Sequence, residues 1–122
     1  MATFSKLKLS QSTSGRGIKV AATATAGTAL HTAVAGASDI DEIWIYTINN
    51  SALDVMLTLE WGGTTAVDDI IVTPIKSYSG LVLVAPGLIL NGGLGLAAFV
   101  GLPGVATANV VTIFGYVNRI TA

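Results

Sequence analysis

"DEIWIYTINNSALDVMLTLEWGG", residues 41–63, is the stretch on which the fold turns. In a strand, successive side chains point to opposite faces. Read that way, Leu53, Val55, Leu57, Leu59 and Trp61 share one face of the second half, and Asp54, Met56, Thr58 and Glu60 share the other, the pattern of a half-buried strand. The first half differs. Ile43 and Ile45 fall on one face and Trp44, Tyr46 and Ile48 on the opposite one, so both are apolar. The spacing predicts strands at 41–48 and 53–61, joined as a hairpin through Asn49, Asn50 and Ser51, residues that tolerate turn conformations. One face of the first strand then belongs to the core, and the other needs a different cover.

Turn punctuation continues on both sides of this stretch. Upstream, "TFSKLKLS" (3–10) alternates Phe4, Lys6 and Lys8 against Ser5, Leu7 and Leu9, which fits an edge strand whose lysines discourage edge pairing. Two light strands rich in Ala, Thr and Val are predicted at 18–23 and 28–34. Downstream, strands are predicted near 69–75, with Pro74 marking an edge, and at 81–85, 88–91, 94–100 and 109–120. In the last of these Val111, Ile113, Gly115 and Val117 face away from Val110, Thr112, Phe114 and Tyr116, again with two largely apolar faces. Eight or nine short strands with no helical period indicate an all-β, antiparallel β-sandwich, with a jelly roll favoured over an immunoglobulin-like arrangement. The 122 residues make a single domain, in which 39–122 supply the main sandwich core and 1–38 a basic N-terminal arm with light strands continuous with it.

Composition sharpens the question of cover. Charged residues make up 11% of the chain, against about 25% in an average soluble domain. Apolar residues make up 52%. Monomers rarely expose large contiguous apolar patches, so a membrane or partner subunits must take up the excess. Residues 81–102 are long enough to span a bilayer, and no charge occurs between Lys76 and Arg119. Against a span, Pro86-Gly87, Asn91-Gly92-Gly93 and Pro103-Gly104 interrupt the run about every ten residues, as turns between strands do. Partner subunits are the expectation, and no membrane. The N-terminus lacks the apolar core of a secretory signal, and the absence of cysteine leaves the redox compartment open.

The few charges are segregated. Lys6, Lys8, Arg16 and Lys19 make the first 38 residues +4, and residues 39–69 carry −7. A basic segment beside an acidic one suits docking onto a complementary surface. Four spaced basic residues without interleaved aromatics do not make a nucleic-acid site.

Signals for chemistry are sparse. His31 is the single histidine and reads as a strand-edge or interface residue; a Ser10, His31 and Asp39 constellation lacks a nucleophile-elbow motif. Asp68 and Asp69 could join Glu60 around Ca²⁺, but their spacing matches no calcium loop, and a solvated turn is preferred. Gly62-Gly63 and Gly92-Gly93 lack the Lys-Ser/Thr and helix of a phosphate loop. Trp44, Trp61, Tyr46, Tyr78 and Tyr116 could form a sugar-stacking platform, yet they sit among Ile, Leu and Val, which favours packing. No catalytic, cofactor or metal residue is assigned.

The 41–63 stretch, followed by "SGLVLVAPGLILNGGLGLAAF" and the closing "ANVVTIFGYVNRI", resembles small structural proteins of tailed-bacteriophage virions, in particular head decoration, or cement, proteins and related head and neck components. The resemblance spans roughly residues 38–120 and lies in overall texture, so no functional residue is carried over. It implies a compact β-domain, often a jelly roll, that is made in the host cytoplasm and does no chemistry. On the virion such a domain assembles as a homotrimer on the outer capsid surface and stabilises the shell by bridging major capsid protein subunits. Tail, neck or head-fibre components, and carbohydrate- or receptor-binding modules, are the alternatives. On this reading Trp44, Tyr46, Ile48, Phe114 and Tyr116 are the expected oligomer interface, and Lys6, Lys8, Arg16 and Lys19 the expected capsid-docking residues.

Overall fold

Ten strands and no helix occur among the described residues of the computed structural model, which are 2–102, 105–106 and 108–122. They are β1 (Thr3–Lys8), β2 (Ile18–Lys19), β3 (Thr28–Thr32), β4 (Ile40–Asn49), β5 (Val55–Trp61), β6 (Ile70–Ile75), β7 (Val82–Leu90), β8 (Gly95–Leu102), β9 (Val105–Ala106) and β10 (Val111–Thr121). One sheet runs β1-β10-β4-β7, with β2 also on β10; the other runs β3-β8-β5-β6, with β9 on β8. Every pairing is antiparallel, and the two sheets pack face to face as the expected β-sandwich. The Pro103-Gly104 punctuation lies outside the described residues.

The core is the sum of the inner faces. Ile43 and Ile45 of β4 and Val111, Ile113 and Val117 of β10 meet Leu57 and Leu59 of β5 and Leu96 and Val100 of β8, all essentially without solvent contact. Each such side chain contributes about 1.5–3 kcal/mol of burial free energy. Leu9, Val20 and Leu30 join them, so the first 38 residues are woven into the sandwich, with β1 and β2 on β10 and β3 on β8.

The hairpin predicted across residues 49–51 is not formed. β4 belongs to the first sheet and β5 to the second, and the chain crosses between them over residues 50–54. Asn49 holds this corner. Its buried amide donates to the carbonyls of Leu53 (2.7 Å), Ile75 (3.3 Å) and Lys76 (3.1 Å), and its Oδ1 accepts from the Ser51 N–H (3.1 Å) and hydroxyl (2.8 Å). These bonds satisfy backbone carbonyls that the chain reversal leaves without strand partners. Leu53 consequently stays exposed, and β5 begins at Val55.

Other boundaries move for similar reasons. The strand predicted at 18–23 pairs as β2 over two residues only, because the segment changes sheets: the Val20 N–H donates to Val111 O (2.9 Å), and Ala22 O accepts from the Val100 N–H (3.1 Å). The predicted strands at 81–85 and 88–91 are one edge strand, β7, which runs through Pro86 and Gly87 with two register shifts against β4. Among the described residues no strand pairs with its outer edge, and an edge strand tolerates the missing N–H of Pro86.

A polar network ties the sheets together inside the sandwich. His31 lies on β3, the edge strand of the second sheet, and is buried there. The Ser10 N–H donates to its Nδ1 (3.0 Å), which assigns the ring hydrogen to Nε2, and Nε2 donates to Asp41 Oδ2 (2.8 Å). Arg119 adds a forked pair, Nε to Oδ1 at 2.7 Å and Nη2 to Oδ2 at 3.0 Å, and the Val34 N–H donates to Oδ2 at 3.1 Å. Burial pushes the Asp41 carboxyl up, but the hydrogen bonds from Arg119 and His31, the Arg119 charge and the Val34 N–H outweigh it and hold the group below its ordinary value.

Asp41→Asn should cost about 1.5–3 kcal/mol near neutral pH, because it removes the charge from a buried carboxylate that accepts from the part-exposed Arg119 and from His31. A carboxyl depressed by folding stabilises above its unfolded value of about 3.9 and loses that contribution as pH falls through the folded value. Urea denaturation from pH 7 to pH 2 should therefore show the gap between wild type and variant closing below about pH 4. A gap constant to pH 2 would refute this account.

Candidate assembly face

The alternation of β4 puts Ile40, Glu42, Trp44, Tyr46 and Ile48 on the outside of the first sheet. Its register with β10 sets them beside Ile120, Asn118, Tyr116, Phe114 and Thr112. On one flank β1 places Lys6 opposite Asn118 and Lys8 opposite Tyr116, and β2 places Lys19 opposite Thr112. On the other flank β7 sets Leu83, Pro86 and Ile89 opposite Tyr46, Trp44 and Glu42. All five expected interface residues, Trp44, Tyr46, Ile48, Phe114 and Tyr116, are thus brought together. Three of the four expected docking residues, Lys6, Lys8 and Lys19, lie on the same face, while Arg16 sits exposed in the loop before β2. The sequence treats these as two surfaces; in the fold they are one.

Across the middle of this face runs a row of stacked groups. The Trp44 and Tyr116 rings are parallel, 7° apart in plane with centroids at 6.0 Å. Lys6 Nζ lies 4.5 Å from the Tyr116 centroid, a cation–π contact. Beyond Trp44 comes Gly87, where a Cβ would stand 3.1 Å from Cε2 and Cζ2 of the indole. The row therefore reads Gly87, Trp44, Tyr116, Lys6 across β7, β4, β10 and β1. Trp44 Nε1–H donates to Glu42 Oε1 (2.8 Å), which also accepts from Asn118 Nδ2 (3.0 Å). The hydrogen bonds from Asn118 and Trp44 hold the Glu42 carboxyl below its ordinary value. The row occupies its own ring faces, whereas a sugar-stacking platform needs an open one.

The other aromatics do not join this row. Trp61 closes one end of the sandwich, with Nε1–H donating to Ile89 O (3.3 Å), and Tyr78 stands exposed in the β6–β7 link. The rim of the face remains open: Phe4 is 73% exposed, Ile89 56%, Leu83 43% and Phe114 36%. An open pocket of about 350 Å³ lies at one corner, lined by Phe4, Ser5, Lys6, Glu42, Asn118 and Ile120.

The polar groups weighed for chemistry are committed to structure. Ser10 offers His31 its backbone N–H, while its Oγ accepts from the Thr32 N–H (2.7 Å); the carboxylate on His31 is Asp41, and Asp39 instead accepts from the Ala122 N–H (2.8 Å). Glu60 is not gathered with Asp68 and Asp69. It lies buried on the outer side of β5, where it accepts from the Thr25 hydroxyl and from the Gly27 N–H (2.6 Å), and so pins the 22–27 segment across the second sheet. Alternation alone reads Glu60 as exposed, and nothing in the sequence marks Thr25 and Gly27 as its partners. The Asp69 carboxylate accepts from the Thr65 N–H (3.1 Å) within its own loop. Among the described residues no three His, Cys, Asp or Glu side chains are placed to hold a metal ion, and no helix is long and apolar enough to cross a membrane.

The chain matches no family model, no curated protein and no solved structure.

Gly87→Ala tests the stacked row. Gly87 has φ +79°, a conformation strained for any side chain, and a Cβ there would press on Trp44. The variant should lose about 1–3 kcal/mol in urea denaturation, with a shift in tryptophan emission as the indole is displaced. Unchanged stability and emission would show that the row does not depend on this contact.

Proposed function

We propose that this protein is a non-enzymatic structural component of a tailed-phage virion. It is a head decoration, or cement, protein that assembles as a homotrimer on the outer capsid surface and stabilises the shell by bridging major capsid protein subunits. The observation that carries this reading is the outer face of the first sheet, which leaves Phe4, Phe114, Leu83 and Ile89 exposed around the aromatic row in a chain with very few charges. Such a face suits a subunit contact, whose centre is depleted in charge and rich in aromatic residues.

Strand order supports the jelly-roll form of the sandwich. Counting the eight strands of five residues or more, one sheet takes the first, eighth, third and sixth, and the other the second, seventh, fourth and fifth. This is the interleaving produced by two Greek keys folded on each other. The non-enzymatic reading is supported by the commitment of His31, Asp41 and Glu60 to internal hydrogen bonds. A glycan-binding reading is disfavoured by the covered faces of Trp44 and Tyr116.

Light scattering on the purified protein should give the mass of a trimer, and Phe114→Asp should shift it toward monomer. Added to capsids that lack it, the protein should occupy regular sites over the whole head when imaged. Attachment only at the portal vertex would make it a neck or tail component. A monomer without capsid binding would overturn the proposal.

A further inference from the structure

We infer that the free edge of β1 takes up an extended, acidic segment of the partner protein as an added strand. The inference rests on the proposed capsid partner and adds where, and by what chemistry, that partner is held. The two sheets end in β1, β7, β3 and β6, and an unpaired edge invites pairing unless it is blunted or covered. Three of these edges are dealt with. β7 carries Pro86 and two register shifts, and β6 carries Pro74. β3 is bulged between Ala29 and His31, and its outer side is occupied: the Gln11 N–H donates to Leu30 O (3.2 Å) and the Thr32 N–H to Ser10 Oγ (2.7 Å). β1 has none of these devices. It pairs with β10 without a register shift, contains no proline or glycine, and is exposed at every residue but Leu7.

The register shows which backbone groups are open. The Asn50 N–H donates to Val110 O and the Val20 N–H to Val111 O, so along β10 the even-numbered residues turn their N–H and C=O to β4 and the odd-numbered ones to β1 and β2. Thr3, Ser5 and Leu7, opposite Thr121, Arg119 and Val117, are therefore bonded to β10, while Phe4, Lys6 and Lys8 turn their N–H and C=O outward. Among the described residues these outward groups have no partner. The side chains of Thr3 and Ser5 alternate to the inner side and are still exposed, so no part of the second sheet lies under this end of β1. An added strand has room on both faces.

Charge fixes the chemistry of that strand. Phe4, Lys6 and Lys8 project on the outer face, and the exposed Arg16 and Lys19 stand beyond the Lys8 end; among the described residues none of these four cations forms a salt bridge. Opposite charges across neighbouring strands attract and like charges repel. A strand with Asp or Glu beside Lys6 and Lys8 is favoured, whereas β1 of a second copy, laid alongside with outer face beside outer face, sets lysine against lysine. In such strand addition the main-chain bonds supply affinity, and the pocket of about 350 Å³ bordered by Phe4, Ser5 and Lys6 supplies a side-chain subsite.

The test uses capsids that lack the protein. Proline is tolerated at an edge position whose N–H faces solvent, so Lys6→Pro should fold, checked by circular dichroism, while losing one outward donor that Lys6→Ala keeps. Lys6→Pro should bind capsids roughly tenfold or more weakly than Lys6→Ala. Lys8→Glu should weaken binding by a similar factor in about 0.05 M salt and by less in about 0.5 M, where exposed charges are screened. Hydrogen exchange of the wild type, read by mass spectrometry over residues 2–9, should show the amides of Phe4, Lys6 and Lys8 exchanging rapidly in the free protein and protected on the capsid, a readout independent of the proline variant's folding. Equal binding by Lys6→Pro and Lys6→Ala, unprotected amides on the capsid, or full binding by Lys8→Glu would overturn the inference and leave the proposed capsid role standing. A wild type that does not bind capsids would remove both.

Discussion

The ten-residue antiparallel pairing of β4 with β10 is the constraint on which the rest of the structure depends. It sets Ile43 and Ile45 beside Val117 and Gly115 on the inside, and Trp44 beside Tyr116 on the outside. The two strands approach so closely that a Cβ at Gly115 would collide with the Trp44 carbonyl oxygen. Both strands are apolar on both faces, so this pairing supplies Ile43, Ile45, Val111, Ile113 and Val117 to the core and the centre of the outer face at once. β1, β2 and β7 then attach to its two sides and determine what borders that centre: lysines on one flank, aliphatics and a proline on the other.

With so few charges, each has a visible task. Asp41 and Arg119 are cross-strand neighbours on the inner side of that same pairing, and His31 reaches Asp41 from the opposite sheet, so one carboxylate joins β3, β4 and β10. Glu60 does comparable work on the second sheet by holding the 22–27 segment against it. Glu42 bridges Trp44 and Asn118. Such charges, held by hydrogen bonds within the fold, specify packing. Lys6, Lys8 and Lys19 stay outside, on the β1–β2 flank of the first sheet.

The corner at Asn49 shows where local pattern stops being informative. Two apolar strands separated by Asn-Asn-Ser are compatible with a hairpin and with a crossing between sheets, because turn residues permit a reversal without choosing the neighbour. The choice comes from acceptors remote in sequence, the carbonyls of Ile75 and Lys76, and from the advantage of placing an apolar face of each strand in one common core. Pro86 is similar. It reads as a break between strands, yet an edge strand tolerates a residue without an N–H donor, and β7 continues through it.

By itself the sequence determined the all-β class, the strand positions to within a few residues, and the alternation that sets Ile43 and Ile45 against Trp44, Tyr46 and Ile48 in β4 and Val111, Ile113 and Val117 against Phe114 and Tyr116 in β10. Each of these follows from a period of two read against hydrophobicity, which is local information. Tertiary structure alone decided that β4 and β5 lie in different sheets, that Glu60 and His31 are buried in hydrogen-bond networks, that the aromatic rings cover one another, and that the lysines border the aromatic face. Those outcomes depend on which distant segments meet, and pairing between strands far apart in the chain is set by the packing of the whole core, which no window of neighbouring residues contains.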